Sequence, residues 1–145
     1  MAINTAQIIN SSVIFIRNLI NDNVTDPLSR SKWVYTSYPQ REVVYPIITV
    51  KRDDFSAQTQ YIDSESKLVN VSLEIRIWAR NIKEKDTISD DVFNIMRTMQ
   101  KGASGTILEG LHNFKFEFIA DVDEPEGKGG VKSCIWRARF LVAAV

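Results

Sequence analysis

The stretch Val69-Asn70-Val71-Ser72-Leu73-Glu74-Ile75-Arg76-Ile77-Trp78-Ala79-Arg80 alternates between two kinds of side chain without a break. Successive side chains of a strand point to opposite faces. The spacing therefore predicts a strand that buries Val69, Val71, Leu73, Ile75, Ile77 and Ala79 and turns Asn70, Ser72, Glu74, Arg76, Trp78 and Arg80 the other way. Burial on one face only is the mark of an antiparallel sheet with a solvated side. Directly downstream the period changes from 2 to 3.6. Thr87 and Asp90 open a helix to about Gln100, with Ile88, Val92, Ile95, Met96 and Met99 inward and Gly102 as its terminator.

Beyond the Gly102–Gly105 connector the two-residue period returns. Phe114, Phe116, Phe118, Ala120 and Val122 alternate with Lys115, Glu117, Ile119 and Asp121. A loop of turn formers, Asp123 to Gly130, then leads to a strand from Val131 to Ala144. It has Cys134, Trp136, Ala138, Phe140 and Val142 on one face and Ser133, Arg137 and Arg139 on the other.

Upstream, Ile9, Val13, Ile16 and Ile20 mark one face of a helix from Thr5 to about Asn21, with Thr5 as N-cap and Asn21-Asp22-Asn23 as its stop. Trp33 to Tyr38 reads as a strand closed by Pro39. Glu42 to Arg52 reads as a second, irregular one, because Pro46 lacks an amide donor and belongs on an edge or at a bulge. Asp53 to Ser66 is polar and reads as a loop, or a short extra strand around Gln60-Tyr61-Ile62. The sum is a single α+β domain, mainly antiparallel sheet with two helices packed on it, in the order α-β-β-β-α-β-β.

Composition bounds the function. The 145 residues carry 18 Lys+Arg against 18 Asp+Glu, with one Cys, one His and 44% apolar residues. A chain of this length buries roughly 68–70% of its unfolded surface and needs neither disulfide nor metal to fold. Zero net charge argues against a dedicated nucleic-acid binder. No apolar run approaches the roughly 18–20 residues that cross a bilayer, and Met1 to Ile9 lacks the basic start of a secretory leader. A soluble protein made in the cytoplasm is expected, in which the acceptor-like triplets at Asn10, Asn23 and Asn70 are chance matches.

No catalytic or cofactor set emerges. Cys134 and His112 are the only thiol and imidazole, and Cys134 falls on an apolar face where a free Cys behaves as a core residue. One Cys and one His supply two of the usual four zinc ligands. Gly127-Lys128-Gly129 fails as a phosphate loop because Val122 stands where a Gly is needed and Gly129 where Ser or Thr is needed. Asp121, Asp123, Glu124 and Glu126 match no EF-hand spacing. No metal, cofactor or enzymatic activity is expected.

Two features remain as candidate protein-protein interface. One is the polar side of neighbouring strands, where Arg76, Arg80, Arg137 and Arg139 stand near Trp78, residue types favoured at interface hot spots; the bland alternative is a solvated face interleaved with Glu74. The other is the loop Asp123, Glu124, Pro125, Glu126, Gly127, Lys128, Gly129 and Gly130, charged and glycine-rich on a well-patterned base.

The element order, together with Tyr38-Pro39-Gln40-Arg41-Glu42-Val43-Val44-Tyr45-Pro46-Ile47-Ile48-Thr49-Val50, resembles the tail terminator or tail completion proteins of long-tailed bacteriophages, in which such a segment follows the N-terminal helix. The resemblance spans nearly the whole chain. It implies a structural virion protein assembled in the host cytoplasm. Copies of it, usually six, form a ring that caps the head-proximal end of the tail tube, ends its polymerisation and joins tail to head. The implied partners are further copies of itself, the tail tube protein and a head-tail connector or neck protein. Genomic DNA would only pass through the lumen, and no membrane is involved. The competing class is a small ferredoxin-like binding or regulatory module.

Overall fold

The alternating run lies at the centre of a five-stranded sheet. The structure is a computed structural model that describes residues 7–59, 67–100, 111–123 and 131–144. In chain order the elements are α1 (Ile8–Asn23), β1 (Val34–Tyr35), β2 (Ile47–Thr59), β3 (Lys67–Ala79), α2 (Ile82–Gln100), β4 (Leu111–Asp123) and β5 (Lys132–Ala144). The strands lie side by side as β1-β2-β3-β5-β4, antiparallel throughout except for β1, which runs parallel to β2. This is the expected α+β order.

Val69, Val71, Leu73, Ile75, Ile77 and Ala79 are all buried, as the alternation requires. All but Ala79 meet Ile16 and Ile20 of α1 and Ile88, Val92 and Met96 of α2 in one cluster with Ile48, Val50, Phe114, Phe116, Ala138 and Phe140. Both helices thus cover the same face of the sheet. The opposite face carries no helix among the described residues.

Several boundaries differ from expectation. Helix α1 begins after Gln7, and its inward stripe is Ile8, Ser12, Ile16 and Ile20, with Ile9 only half-buried. Thr5 lies outside the described residues. The helix ends at Asn23, within the expected Asn21-Asp22-Asn23 stop, and the Asn21 side-chain oxygen accepts from the Trp33 amide at 3.2 Å while its amide donates to the Ser31 carbonyl at 3.1 Å, holding β1 beside α1. The strand expected from Trp33 to Tyr38 shrinks to Val34–Tyr35, because only these pair with β2, at Ile48 and Thr49.

The strand expected from Glu42 to Arg52 starts later and ends later. It begins at Ile47, after the cis Tyr45–Pro46 peptide, and runs through Asp53–Thr59, where a loop was expected. Polar Asp53, Asp54 and Ser56 disguise this half, which forms because β3 offers a full-length antiparallel partner and tertiary pairing overrides propensity. Gln60-Tyr61-Ile62 lies outside the described residues, as does Gly102.

Helix α2 starts at Ile82 rather than Thr87. The Asn81 side chain accepts the Glu84 amide at 2.8 Å, and the Glu84 carboxylate reaches back to the Arg80 amide at 3.1 Å, so the start is capped from both sides.

In β4 the alternation breaks. Phe118 pairs with Trp136 but Ala120 pairs with Ile135, so Ile119 is an extra residue that reverses the facing of everything beyond it. Ala120 and Val122 therefore share the uncovered face, Asp121 turns to the helix side opposite Cys134, and Phe118 and Ile119 are exposed. A second bulge centres on Asn113, whose φ of 52° is tolerated by Asn better than by most residues.

Candidate protein interface

The uncovered face carries four of the five expected interface residues that precede or follow the hairpin. Arg76 and Trp78 project from β3, and Arg137 and Arg139 from β5. Arg80 does not belong with them. It lies past the end of β3, where its Nε is 3.1 Å from both Glu84 carboxylate oxygens, so it acts on the first turn of α2. That bond to Arg80 holds the Glu84 carboxyl below its ordinary range.

One row across this face runs Lys51, Glu74, Arg137, Glu117, each opposite the next on adjacent strands. The signs alternate, so cross-strand neighbours attract. Lys51 lies 3.7 Å from Glu74. Arg137 Nε donates to Asp53 at 2.8 Å, the same carboxylate oxygen that accepts the Ser72 hydroxyl at 3.3 Å, and Arg139 lies 3.4 Å from Glu117. Such partly exposed pairs each contribute about 0–1 kcal/mol and fix geometry more than stability. Arg137 and Arg139 are therefore engaged within the chain, close to the bland reading of a solvated lattice.

Arg76 and Trp78 are built differently. The Arg76 guanidinium lies 3.8 Å over the Trp78 ring and donates to the Ser133 hydroxyl at 3.1 Å, which donates onward to the Val122 carbonyl at 2.7 Å. Trp78 Nε1 donates to the Thr49 hydroxyl at 3.3 Å, and the Tyr38 ring meets Trp78 edge-on at 5.0 Å. Cation-π stacking and the polar tip hold this tryptophan at the surface in one orientation. Because Asp123 pairs with Lys132 and Lys132 with Ala79, the base of the Asp123–Gly130 hairpin sits at the same end of the sheet as Trp78. The side chain of Asp123, and residues Glu124 to Gly130 entirely, lie outside the described residues.

Tyr38 reaches Trp78 because of an anchor with no signature in the sequence. Asp26, with its side chain 3% exposed, accepts the Leu28 amide at 2.9 Å, the Arg30 amide at 2.8 Å and the Arg30 guanidinium at 2.8 and 3.1 Å. Arg30 then donates to the carbonyls of Val44, at 2.7 Å, and Pro46. The guanidinium thus ties both ends of the segment that carries Tyr38, whose hydroxyl shares a hydrogen bond with that of Tyr45.

His112 and Cys134 stand far apart along the sheet. His112 pairs with Leu141, about seven residues along β5 from Cys134, or roughly 20 Å at strand rise. Cys134 Sγ lies 3.2 Å from the Ser89 hydroxyl, and burial pushes the thiol up, the opposite of the shift that activates a nucleophilic cysteine. Among the described residues no group of three or more His, Cys, Asp or Glu side chains gathers as metal ligands would. No helix among them is long and apolar enough to cross a membrane.

Among the exposed apolar side chains that sequence reasoning missed are Phe93, Phe118 and Ile119. Phe118 and Ile119 stand on β4, and the Phe93 ring of α2 lies 5.9 Å from that of Trp136. Phe118 meets Trp136 edge-on at 5.3 Å. Two adjacent apolar residues, Phe118-Ile119, inside an otherwise alternating strand were the available signal. No protein-family model matches the chain, and no curated protein matches it.

Proposed function

We propose that this chain is a non-enzymatic structural subunit of a virion. Copies of it, about six, join head to tail in a ring that caps the head-proximal end of a tail tube, ends its growth and joins tail to head. The resemblance of the Tyr38–Val50 segment and of the element order to tail terminator proteins supports the role. One observation carries the assembly: the sheet offers two unlike outer edges, that of β4 on one side and, beyond the two-residue β1, that of β2 on the other, each without an outer strand partner over most of its length among the described residues. Unpaired edges invite strand addition. Like edges would join two-fold, whereas unlike edges join head to tail and close into a ring when the rotation permits.

The Arg76–Trp78 pair lies at the end of the sheet that holds the base of the hairpin, and that end is the rim for a partner along the tail axis, either tube protein or neck protein. Genomic DNA would pass through the lumen without sequence-specific contact. The test is to mix the purified chain with polymerising tube protein of the same virus. Tubes of limited length with one end capped are expected; tubes that grow unchecked, with no protein at their ends, would refute the role.

A further inference from the structure

We infer that β4 of one copy adds to the outer edge of β2 of the next, in an antiparallel register that sets Phe118 opposite Phe55 and Asp121 opposite Arg52. This deepens the ring proposal and rests on it only for closure.

The two edges are available. β1 covers β2 only at Ile48 and Thr49, so Val50 to Thr59 lacks an outer partner among the described residues, and β4 pairs only with β5. Their directions suit each other. β2 and β5 run one way, β3 and β4 the other, so a neighbour placed in the same orientation brings its β2 antiparallel to β4.

The bulges select the register. In β2, Phe55 pairs with Val71 and Arg52 with Leu73, both core-facing, so Phe55 and Arg52 lie on the helix side although three residues apart. The extra residue between Arg52 and Asp54 makes this possible. In β4, Phe118 pairs with Trp136 and Asp121 with Cys134, again both on the helix side and three apart, with Ile119 as the extra residue. Unbulged strands would put residues three apart on opposite faces.

The same offset in both edges lets one uniform register match an aromatic pair and an opposite-charge pair on one face. Phe55 and Phe118 are exposed, at 37% and 49%. Arg52 is exposed, and Asp121 is more than half exposed although Lys85 Nζ lies 2.9 Å away. Cross-strand pairs of these kinds contribute about 0.2–1 kcal/mol each.

Self-pairing of either edge never makes the aromatic pair and the opposite-charge pair together on one face. With β4 against a second β4 about Phe118, Asp121 on the helix side would oppose Lys115 on the uncovered side. With β2 against β2 about Phe55, Arg52 would oppose Gln58. Centred on the bulges instead, β4 against β4 would set Phe118 opposite Asp121 and β2 against β2 would set Phe55 opposite Arg52; the faces then agree, but neither an aromatic pair nor an opposite-charge pair forms. A register slip of one residue inverts every facing. The occupant of each edge is therefore the other edge of a second copy.

The test is disulfide trapping in the full chain carrying Cys134→Ala, with Phe55→Cys and Phe118→Cys made separately and together, since directly opposed strand residues approach within bridging distance. Ser56→Cys with Glu117→Cys tests the same register on the uncovered face. Unchanged circular dichroism certifies folding, and sedimentation of the uncross-linked chain reports the ring. Mixed single variants should yield dimers containing one of each, the double variants a ladder, and each single variant alone no bridge. A ring by sedimentation with no bridges in either pair would overturn the register and leave the ring. Bridging by Phe118→Cys alone would overturn head-to-tail pairing, a ladder without a closed species would uphold the register and refute the ring, and a monomer without bridges would refute both.

Discussion

Replacing Arg30 with Met removes the guanidinium while keeping most of the side chain's volume. Asp26 then loses its charged partner and both guanidinium hydrogen bonds but keeps the Leu28 and Arg30 amides. Breaking a buried pair from one side costs about 3–5 kcal/mol because a charge is left uncompensated. With two amide donors retained, the lower end applies, about 3 kcal/mol. In a domain of this size that is a fall of about 10 °C in thermal midpoint.

The acid response follows from the same pair. Burial pulls the Asp26 carboxyl up, but the Arg30 side chain and the amides of Leu28 and Arg30 together outweigh it, and the group sits below its ordinary value of 3.8. As pH falls, the unfolded chain takes the proton first. Asp26 therefore stabilises the fold fully above that ordinary value, and the contribution is lost as pH drops through the lowered one. Urea unfolding between pH 7 and pH 2.5, for native chain and Arg30→Met, measures both effects. The gap should be widest near neutrality and narrow toward acid, and the Met variant should show changed Trp78 fluorescence as Tyr38 is released. A loss under 1 kcal/mol with an unchanged pH profile would show that Arg30 does not anchor this segment.

Phe116→Ala should cost about 3–5 kcal/mol in denaturant unfolding, and Trp136→Ala somewhat less because Trp136 is only half-buried, although the two rings stack at 4.8 Å. Near-zero shifts for both would mean the face assignment is inverted. The double substitution Cys134→Ser with His112→Ala should leave tail assembly intact in a folded protein; loss of assembly would revive a chemical role for the pair. Shortening Asp123–Gly130 to a two-residue Asn-Gly turn should preserve the fold, since that turn suits a hairpin, and weaken docking to the tube in a capping assay. Undiminished capping would remove the hairpin from the interface.

What the sequence could disclose follows from physical cause. Val69 to Ala79 was legible because a strand buried on one face imprints its period directly. Asp53 to Thr59 was not, because its strand identity comes from pairing with β3 and not from its own side chains. Helix α2 was read from Thr87 because Thr and Asp three apart imitate a cap, while the cap in use, Asn81 with Glu84, begins nearly two turns upstream. Of the candidate interface, the arginines and Trp78 on neighbouring strands were legible from register-free alternation. Their partners were not: Asp53 reaches Arg137 from 84 residues away, and Arg80 leaves the face because β3 ends at Ala79. Bulges at Asp53 and Ile119 add single residues that period counting absorbs as noise, yet they decide which side chains share the free edges.

The most direct test of head-to-tail ring assembly is the mass of the purified chain by native mass spectrometry across a concentration series. Subunits of 16.5 kDa should give one closed species that does not grow further with concentration, of about 99 kDa for about six copies. A mass of 16.5 kDa at every concentration, with and without tube protein, would contradict it, as would a two-fold dimer that adds no further copies.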